Sequence, residues 1–256
     1  MIERVLAPNP GLFTGPGTNT YLLASSDEVL ILDPGPDMDE HRTAIIDGVG
    51  GRLVVGVIAT HTHPDHAPLA NPLGAHYDVP VLGFGPGPRF TPDMTLADGS
   101  EVGFGADRLL AVHTPGHTDD HLCFRWGGTL FTGDHIMGGS TVVIEDATAY
   151  LESLYRVSDL GVGRLEPGHG DAMDDAGRAI DDYIEHRLER EREIVEAIGS
   201  GAATVGDVVD AVYTEVPSGL RQAAVHQVRV QLTKLLRDAL VTFEDDNTEH
   251  SSVRLR

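Results

Sequence analysis

The chain has 256 residues, with 40 acidic side chains against 18 basic ones and a formal net charge of −22, so its field repels polyanions wherever bound cations or local groups do not oppose it. That length supports one main domain plus a small appended module, while the lack of any run of about 18 apolar residues or of a secretory leader predicts a cytoplasmic protein with no membrane partner. The single cysteine, Cys123, excludes an internal disulfide, and its neighbours Leu122 and Phe124 predict a buried strand position.

From the N-terminus, short apolar segments separated by Gly and Pro predict strands over residues 20–23, 29–32, 53–59, 79–83, 109–112, 121–124 and 129–131. Helices are scarce in this part. Residues 65–73 form at most a short one because Pro72 lacks an amide hydrogen, whereas 148–160 carries Leu151, Leu154, Tyr155 and Val157 in helical register. A strand-rich, layered α/β domain follows. Beyond Asp174, the residues Ile180, Tyr183, Ile184, Leu188, Val195 and Ile198 recur with a period near 3.6. They predict a long amphipathic helix, capped by Asp174 or Asp175 and ended by Gly199, that closes a domain of residues 1–198.

Residues 199–256 form the second unit. Thr204 and Asp207 are spaced as a capping box for a helix through Val208, Val209 and Val212. A further helix after Pro217 sets Val225, Val228, Leu232 and Leu235 on one face and Arg221, Arg229, Lys234 and Arg237 on the other. Strands at 241–243 and 253–255 then pair across Asp245-Asp246-Asn247, giving the order of a winged helix-turn-helix.

The chemistry concentrates in Thr60-His61-Thr62-His63-Pro64-Asp65-His66, which sets four potential metal ligands directly after an apolar strand. In an extended chain alternate side chains share a side, so His61 and His63 suit one cation while Asp65 and His66 swing towards a second. A lone histidine here would be an ordinary satisfied polar residue. Four packed together without a cation would cost about 2–7 kcal/mol for each unpaired group. His117 in Pro115-Gly116-His117, Asp134 in Gly133-Asp134 and His169 in Gly168-His169-Gly170 each follow an apolar segment, in loops whose glycines permit tight turns and close approach to an ion.

With these motifs the sequence resembles the metallo-β-lactamase-fold hydrolases, which carry a His-x-His-x-Asp-His stretch followed by Gly-His, Gly-Asp and Gly-His loops. The resemblance implies an α/β fold, the metallo-β-lactamase αββα four-layer sandwich, here with a small C-terminal winged-helix-like module. It also implies two zinc ions, one on His61, His63 and His117, the other on Asp65, His66 and His169, with Asp134 bridging, and a catalytic role for Asp65 and Asp134. Asp33, in Leu32-Asp33-Pro34-Gly35, takes a supporting position behind the ligands. Residues 14–20 (Thr-Gly-Pro-Gly-Thr-Asn-Thr), Gly116-His117-Thr118-Asp119-Asp120-His121, Glu145-Asp146 and Ile184-Glu185-His186-Arg187 look like the beta-lactamase-like protein 2 group, which includes a single-strand-selective endoribonuclease.

The expected reaction is hydrolysis by a hydroxide shared between two cations about 3.5–4 Å apart, which lower the pKa of water from about 15.7 towards about 7. His121 and His135 read either as proton donors to a leaving group or as hydrogen-bonded supports. Two substrate classes stand side by side: single-stranded RNA, from the resemblance, and a small ester or thioester cleaved in the manner of glyoxalase II, from the acidic surface. Arg221, Arg229, Lys234 and Arg237 read either as a phosphate contact or as a solvated helix face, and the acidic wing tip at Glu244, Asp245 and Asp246 counts against RNA. Iron or manganese suits the same donors, so an iron-dependent oxidoreductase is a further alternative. The full ligand set argues against a purely binding role, and no residue pattern sets the number of subunits.

Overall fold

The computed structural model describes residues 1–139, 141–214 and 216–256, with only the backbone of Ser218. A six-stranded sheet runs in the order β1 (Ile2–Leu6), β2 (Asn19–Ser25), β3 (Glu28–Leu32), β4 (Leu53–Ile58), β5 (Val81–Gly83), β6 (Met94–Thr95). A five-stranded sheet has the order β11 (Arg164–Pro167), β10 (Thr129–Gly133), β9 (Leu122–Trp126), β8 (Asp107–His113), β7 (Glu101–Phe104). Period-two alternation makes each strand serve two cores. In β2 and β3, Leu22, Ala24, Val29 and Ile31 pack under α1 (Asp39–Val49) and α2 (Ala70–Tyr77), while Tyr21, Leu23, Leu30 and Leu32 point between the sheets. In the second sheet Leu122, Phe124 and Phe131 face the first sheet, and Cys123 and Leu130 face α3 (Ala147–Asp159) and α4 (Ala176–Gly199). Three apolar layers between four structural ones make the αββα sandwich. Cys123 is fully buried, and that burial pushes its thiol up to about 12.

Two expectations shift. The helix read into residues 65–73 begins at Ala70 and runs to Tyr77, because Pro72 sits in its first turn, where amides need no helical acceptor. The strand read from residue 79 begins at Val81: the Val79 amide is spent on Gly74 O at 3.0 Å, closing α2. Helix α1, with only His41, Ile45 and Val49 buried, and strands β1, β6, β7 and β11 carry too few apolar residues to stand out in the sequence.

The C-terminal part comprises α5 (Val205–Val212), α6 (Arg221–Arg237) and the hairpin β12 (Val241–Glu244) with β13 (Ser252–Leu255). The Thr204–Asp207 capping box forms, and Asp175 caps α4. Helix α4 belongs to both cores: Ile180 packs under the second sheet, and Ile194 and Ile198 pack with Val208, Val228 and Leu232. By packing in both, it ties that module to the sandwich. No helix among the described residues is long and apolar enough to cross a membrane.

The Asp146 side chain caps α3, accepting from the amides of Thr148 at 2.8 Å and Ala149 at 3.0 Å, and pairs with Arg237 of α6 at 2.8 Å. Asp146→Ala should lower stability by about 1 kcal/mol, mostly through the cap, as the surface pair adds little. A shift of the urea midpoint with unchanged slope is the expected readout, and an unchanged midpoint would show the cap to be idle.

Candidate metal centre

Every candidate ligand leaves the same edge of the two sheets, in the loops that follow β4, β8, β10 and β11. The seven side chains converge into two groups, His61, His63, His117 and Asp134, and Asp65, His66, His169 and Asp134; within each, ligand atoms lie within 4.8 Å of one another. Asp134 belongs to both: Oδ1 is 3.3 Å from Nε2 of His66 and of His169, and Oδ2 is 3.7 Å from Nε2 of His117.

Ring nitrogens face ring nitrogens here. His61 Nε2 and His63 Nδ1 are 2.9 Å apart, His117 Nε2 and His63 Nδ1 3.0 Å, and His66 Nε2 and His169 Nε2 3.2 Å. Nitrogens about 2.0–2.1 Å from a shared tetrahedral ion stand roughly 3.3 Å apart, close to these separations. Asp134 Oδ1, buried and without a hydrogen bond of good geometry, aims its lone pairs at the same space. The donor set and its focus fit a pair of divalent cations.

In His61, His66, His117 and His169 the outer nitrogen explains the aim of the inner one. His61 Nδ1 lies 2.9 Å from Thr60 Oγ1, whose hydroxyl donates to Asp33 Oδ2 at 2.9 Å; His66 Nδ1 lies 3.0 Å from the same Oδ2. His117 Nδ1 donates to Val143 O at 2.6 Å and His169 Nδ1 to Gly17 O at 3.1 Å. Asn19 holds the His169 loop, its Nδ2 donating to Pro167 O and Gly170 O, each at 2.9 Å. Gly168 is required by proximity: a Cβ there would lie 2.7 Å from His66 Cε1 and 2.8 Å from Asp134 Oδ1.

His121 and His135 are placed behind this cluster, and neither faces the cleft. His121 Nε2 accepts the Asp134 amide at 3.2 Å, and Nδ1 meets Thr114 Oγ1 at 2.9 Å, so it fixes the Asp134 backbone. His135 is fully buried beside the Tyr150 ring, and burial pushes its pKa down to about 3. The proton-donor reading of both is therefore corrected: a ring sealed in the interior cannot reach a leaving group. The four cations of α6 all meet carboxylates: Arg221 with Asp210 and Glu249, Arg229 with Asp245, Lys234 with Glu191 and Asp238, and Arg237 with Asp146. Thr60 and the carbonyls of Gly17 and Val143 escaped the sequence reading, since a backbone acceptor leaves no trace in residue type.

The electrostatics divide the rings. Burial, then the proximity of His66 and His117, pushes His61 well below the ordinary histidine range. Burial also opposes charge on His66 and His169, but the carboxylates outweigh it. Asp134, Asp33 and Asp65 raise His66 well above its usual value, and hydrogen bonds with Asp134 and Asp65 raise His169 to about 9.

Above these groups lies a cleft of about 350 Å³ whose walls include Leu12, Phe13, Met137 and Val143. Residues 13–169 match the metallo-beta-lactamase superfamily, and residues 204–249 match the beta-lactamase associated winged helix domain. The chain is 34% identical to a beta-lactamase-like protein 2 homolog of Caenorhabditis elegans, covering 94% of this chain and 85% of that protein. It is 32% identical to an atrochrysone carboxyl ACP thioesterase of Aspergillus chevalieri, covering 95% and 83%. A metallo-beta-lactamase family protein of Thermus thermophilus superposes with a TM-score of 0.80 at 19% identity, covering 100% of this chain and 98% of that one, a likeness of fold.

Asp33→Asn puts an amide in place of a carboxylate that receives donors on both oxygens, so His66 and Thr60 lose their common acceptor. Metal affinity should fall about 10–100-fold in a chelator competition; an unchanged affinity would remove the supporting role. His169 and His66 have raised pKa values, so without metal they are protonated at pH 7 and their contribution to stability is lost as pH climbs through the raised values, about 9 for His169. Metal uptake at pH 7 should therefore release roughly one to two protons, with affinity rising towards pH 9. Calorimetry in buffers of different ionisation enthalpy reads this directly, and uptake without proton release would contradict it.

Proposed function

Because the chain belongs to the metallo-beta-lactamase superfamily, we propose that it is a dinuclear zinc hydrolase of acyl thioesters, with the related esters as slower substrates. In this reading His61, His63 and His117 hold one ion, Asp65, His66 and His169 the other, and Asp134 lies between them. The observation that carries the substrate class is the character of the cleft: apolar walls stand beside His63, Asp65 and Asp134, and no lysine or arginine lines it among the described residues.

Bound in these clusters, zinc supplies Lewis acidity, polarising an acyl carbonyl and drawing the pKa of a water from about 15.7 towards about 7. The chain's own groups supply the rest. Asp65 Oδ2 sits 3.2 Å from His169 Nε2 at the cleft wall; burial disfavours its charge, but His66 and His169 outweigh that and keep it ionised, ready to accept a proton. A substrate seated against Leu12, Phe13 and Met137 would displace water from this wall and so strengthen each charge interaction at the carbonyl.

The leaving group supports the same reading. The cleft histidines are His63, His117 and His169, all committed to the clusters, and His121 and His135 are turned away. A thiol with a pKa near 8.5 departs as its anion without a proton donor, whereas the alkoxide expelled from RNA needs one. The ion-paired cations of α6 and the net charge of −22 also weigh against single-stranded RNA. The thioesterase name of the Aspergillus chevalieri relative lends further support. On the same footing we place the catalytic domain at residues 1–198 and the module at 199–256, and the protein in the cytoplasm, where the unpaired Cys123 stays reduced.

Protein purified without added metal should contain close to two zinc per chain and release thiol from a panel of acyl thioesters. Asp134→Ala should lower kcat/KM by about 100-fold or more. Iron in place of zinc, with oxygen consumption, would point to the oxidoreductase; cleavage of single-stranded RNA lost in Asp134→Ala, with thioesters untouched, would overturn the thioester reading.

A further inference from the structure

The cleft does not end at the metal clusters. A groove of about 210 Å³ continues from it between the sandwich and the C-terminal module, and the two share Leu12, Phe13, Thr141 and Val143 on their walls. Leu12 and Phe13 stand 68% and 59% exposed in the loop pinned by the Gly11–Gly15 bridge, large apolar side chains that a bound chain would cover. Val142, Val216, Leu220 and Ala224 extend the apolar lining away from the clusters.

At the far wall sits a charge without a counter-charge. Arg187 of α4 is 6% exposed; one Nη donates to Val142 O at 2.6 Å, the guanidinium carbon lies 4.9 Å over the Tyr150 ring, and the Nε–H is buried without a partner. No carboxylate pairs with it among the described residues, although this chain carries 40 acidic side chains and the neighbouring Arg190 is paired with Glu193 at 2.9 Å. Gln227, on the same wall, spends its amide on Ile144, accepting from N at 3.3 Å and donating to O at 2.9 Å. A desolvated guanidinium in an otherwise satisfied apolar groove is a place for an anion delivered by the ligand.

We propose that this groove is the acyl subsite of the metal centre and takes an acyl group with an apolar body and a carboxylate at its far end, which Arg187 binds. The assignment rests on the thioester reading of the site. It favours the acyl half over the pantetheine half of a thioester: pantetheine carries amides that this lining leaves without partners, and its phosphate is doubly charged in a field of net −22. Arg187 and the Leu12–Phe13 loop are thus specificity determinants, acting on substrate a groove's length from the scissile carbonyl.

The test uses the full-length metal-loaded protein and N-acetylcysteamine thioesters in pairs of equal chain length, one ending in a carboxylate and one in a methyl group, together with the matching thioethers, which cannot be hydrolysed. The carboxyl-ended member should show about tenfold higher kcat/KM, carried by KM, and its thioether about tenfold tighter binding by calorimetry. Arg187→Met should abolish both preferences and Arg187→Lys retain part of them. Phe13→Ala, at an exposed position that leaves the core intact, should raise KM for both series. Equal constants for the two ends in the wild type, or a preference that survives Arg187→Met, overturns the proposal. So does a preference for phosphopantetheine over pantetheine thioethers that vanishes in that variant, since it assigns the groove to the leaving group. Carboxyl-selective thioether binding with no turnover of any thioester sinks the hydrolase reading and leaves the groove assignment standing.

Discussion

One buried carboxylate sets the register of the centre. Asp33, 2% exposed, takes the Thr60 amide on Oδ1 at 2.7 Å and receives the Thr60 hydroxyl and the His66 ring on Oδ2, and through Thr60 it also orients His61. Two side chains from opposite ligand groups are thereby referred to a single point. The backbone at Asp33 sits at φ 49, a left-handed conformation that costs an L residue about 1 kcal/mol or more. Its amide on Ile58 O and its carbonyl under the Thr20 hydroxyl hold it there. Strand β3 thus ends in a strained but fully bonded residue whose carboxylate points across to the loop after β4.

The layers behind this centre follow from plain alternation. Each of β2, β3, β9 and β10 has apolar residues on both faces, which only a sheet covered on both sides can satisfy. The same fact explains why the candidate ligands share one edge. They occupy the loops that follow β4, β8, β10 and β11, strands of these same two sheets, and the sheets bring the loops together from positions as far apart as His61 and His169.

The ligand set was legible because histidine and aspartate in glycine-rich loops are rare combinations, and so were the long α4, the capping box at Thr204 and the wing. Other features had no signal to read. The acceptors for His117 and His169 are carbonyls of Val143 and Gly17, and any residue there offers the same oxygen. The cations of α6 stand out in the sequence, but their partners, such as Asp146 and Glu191, lie in elements folded against them from far along the chain, so a stripe that reads as basic is locally neutralised. Helix α4 closes the first domain, and its last turns also meet the second, because Ile194 and Ile198 face the module's core. Periodicity identifies an apolar face; it does not name the surface that face meets.

Residues 142–144 give successive carbonyls three different recipients. Val142 O receives Arg187, Val143 O receives the His117 ring, and Ile144 O receives Gln227 of α6. Three neighbouring peptide units therefore join the far wall of the groove, one rim of the ligand cage and the appended module in a single short span of main chain. A pull on any one of these attachments is transmitted within a few ångströms to the other two. The spacing between the Arg187 guanidinium and the His117 ring is thus set by adjacent carbonyls of one stretch of main chain.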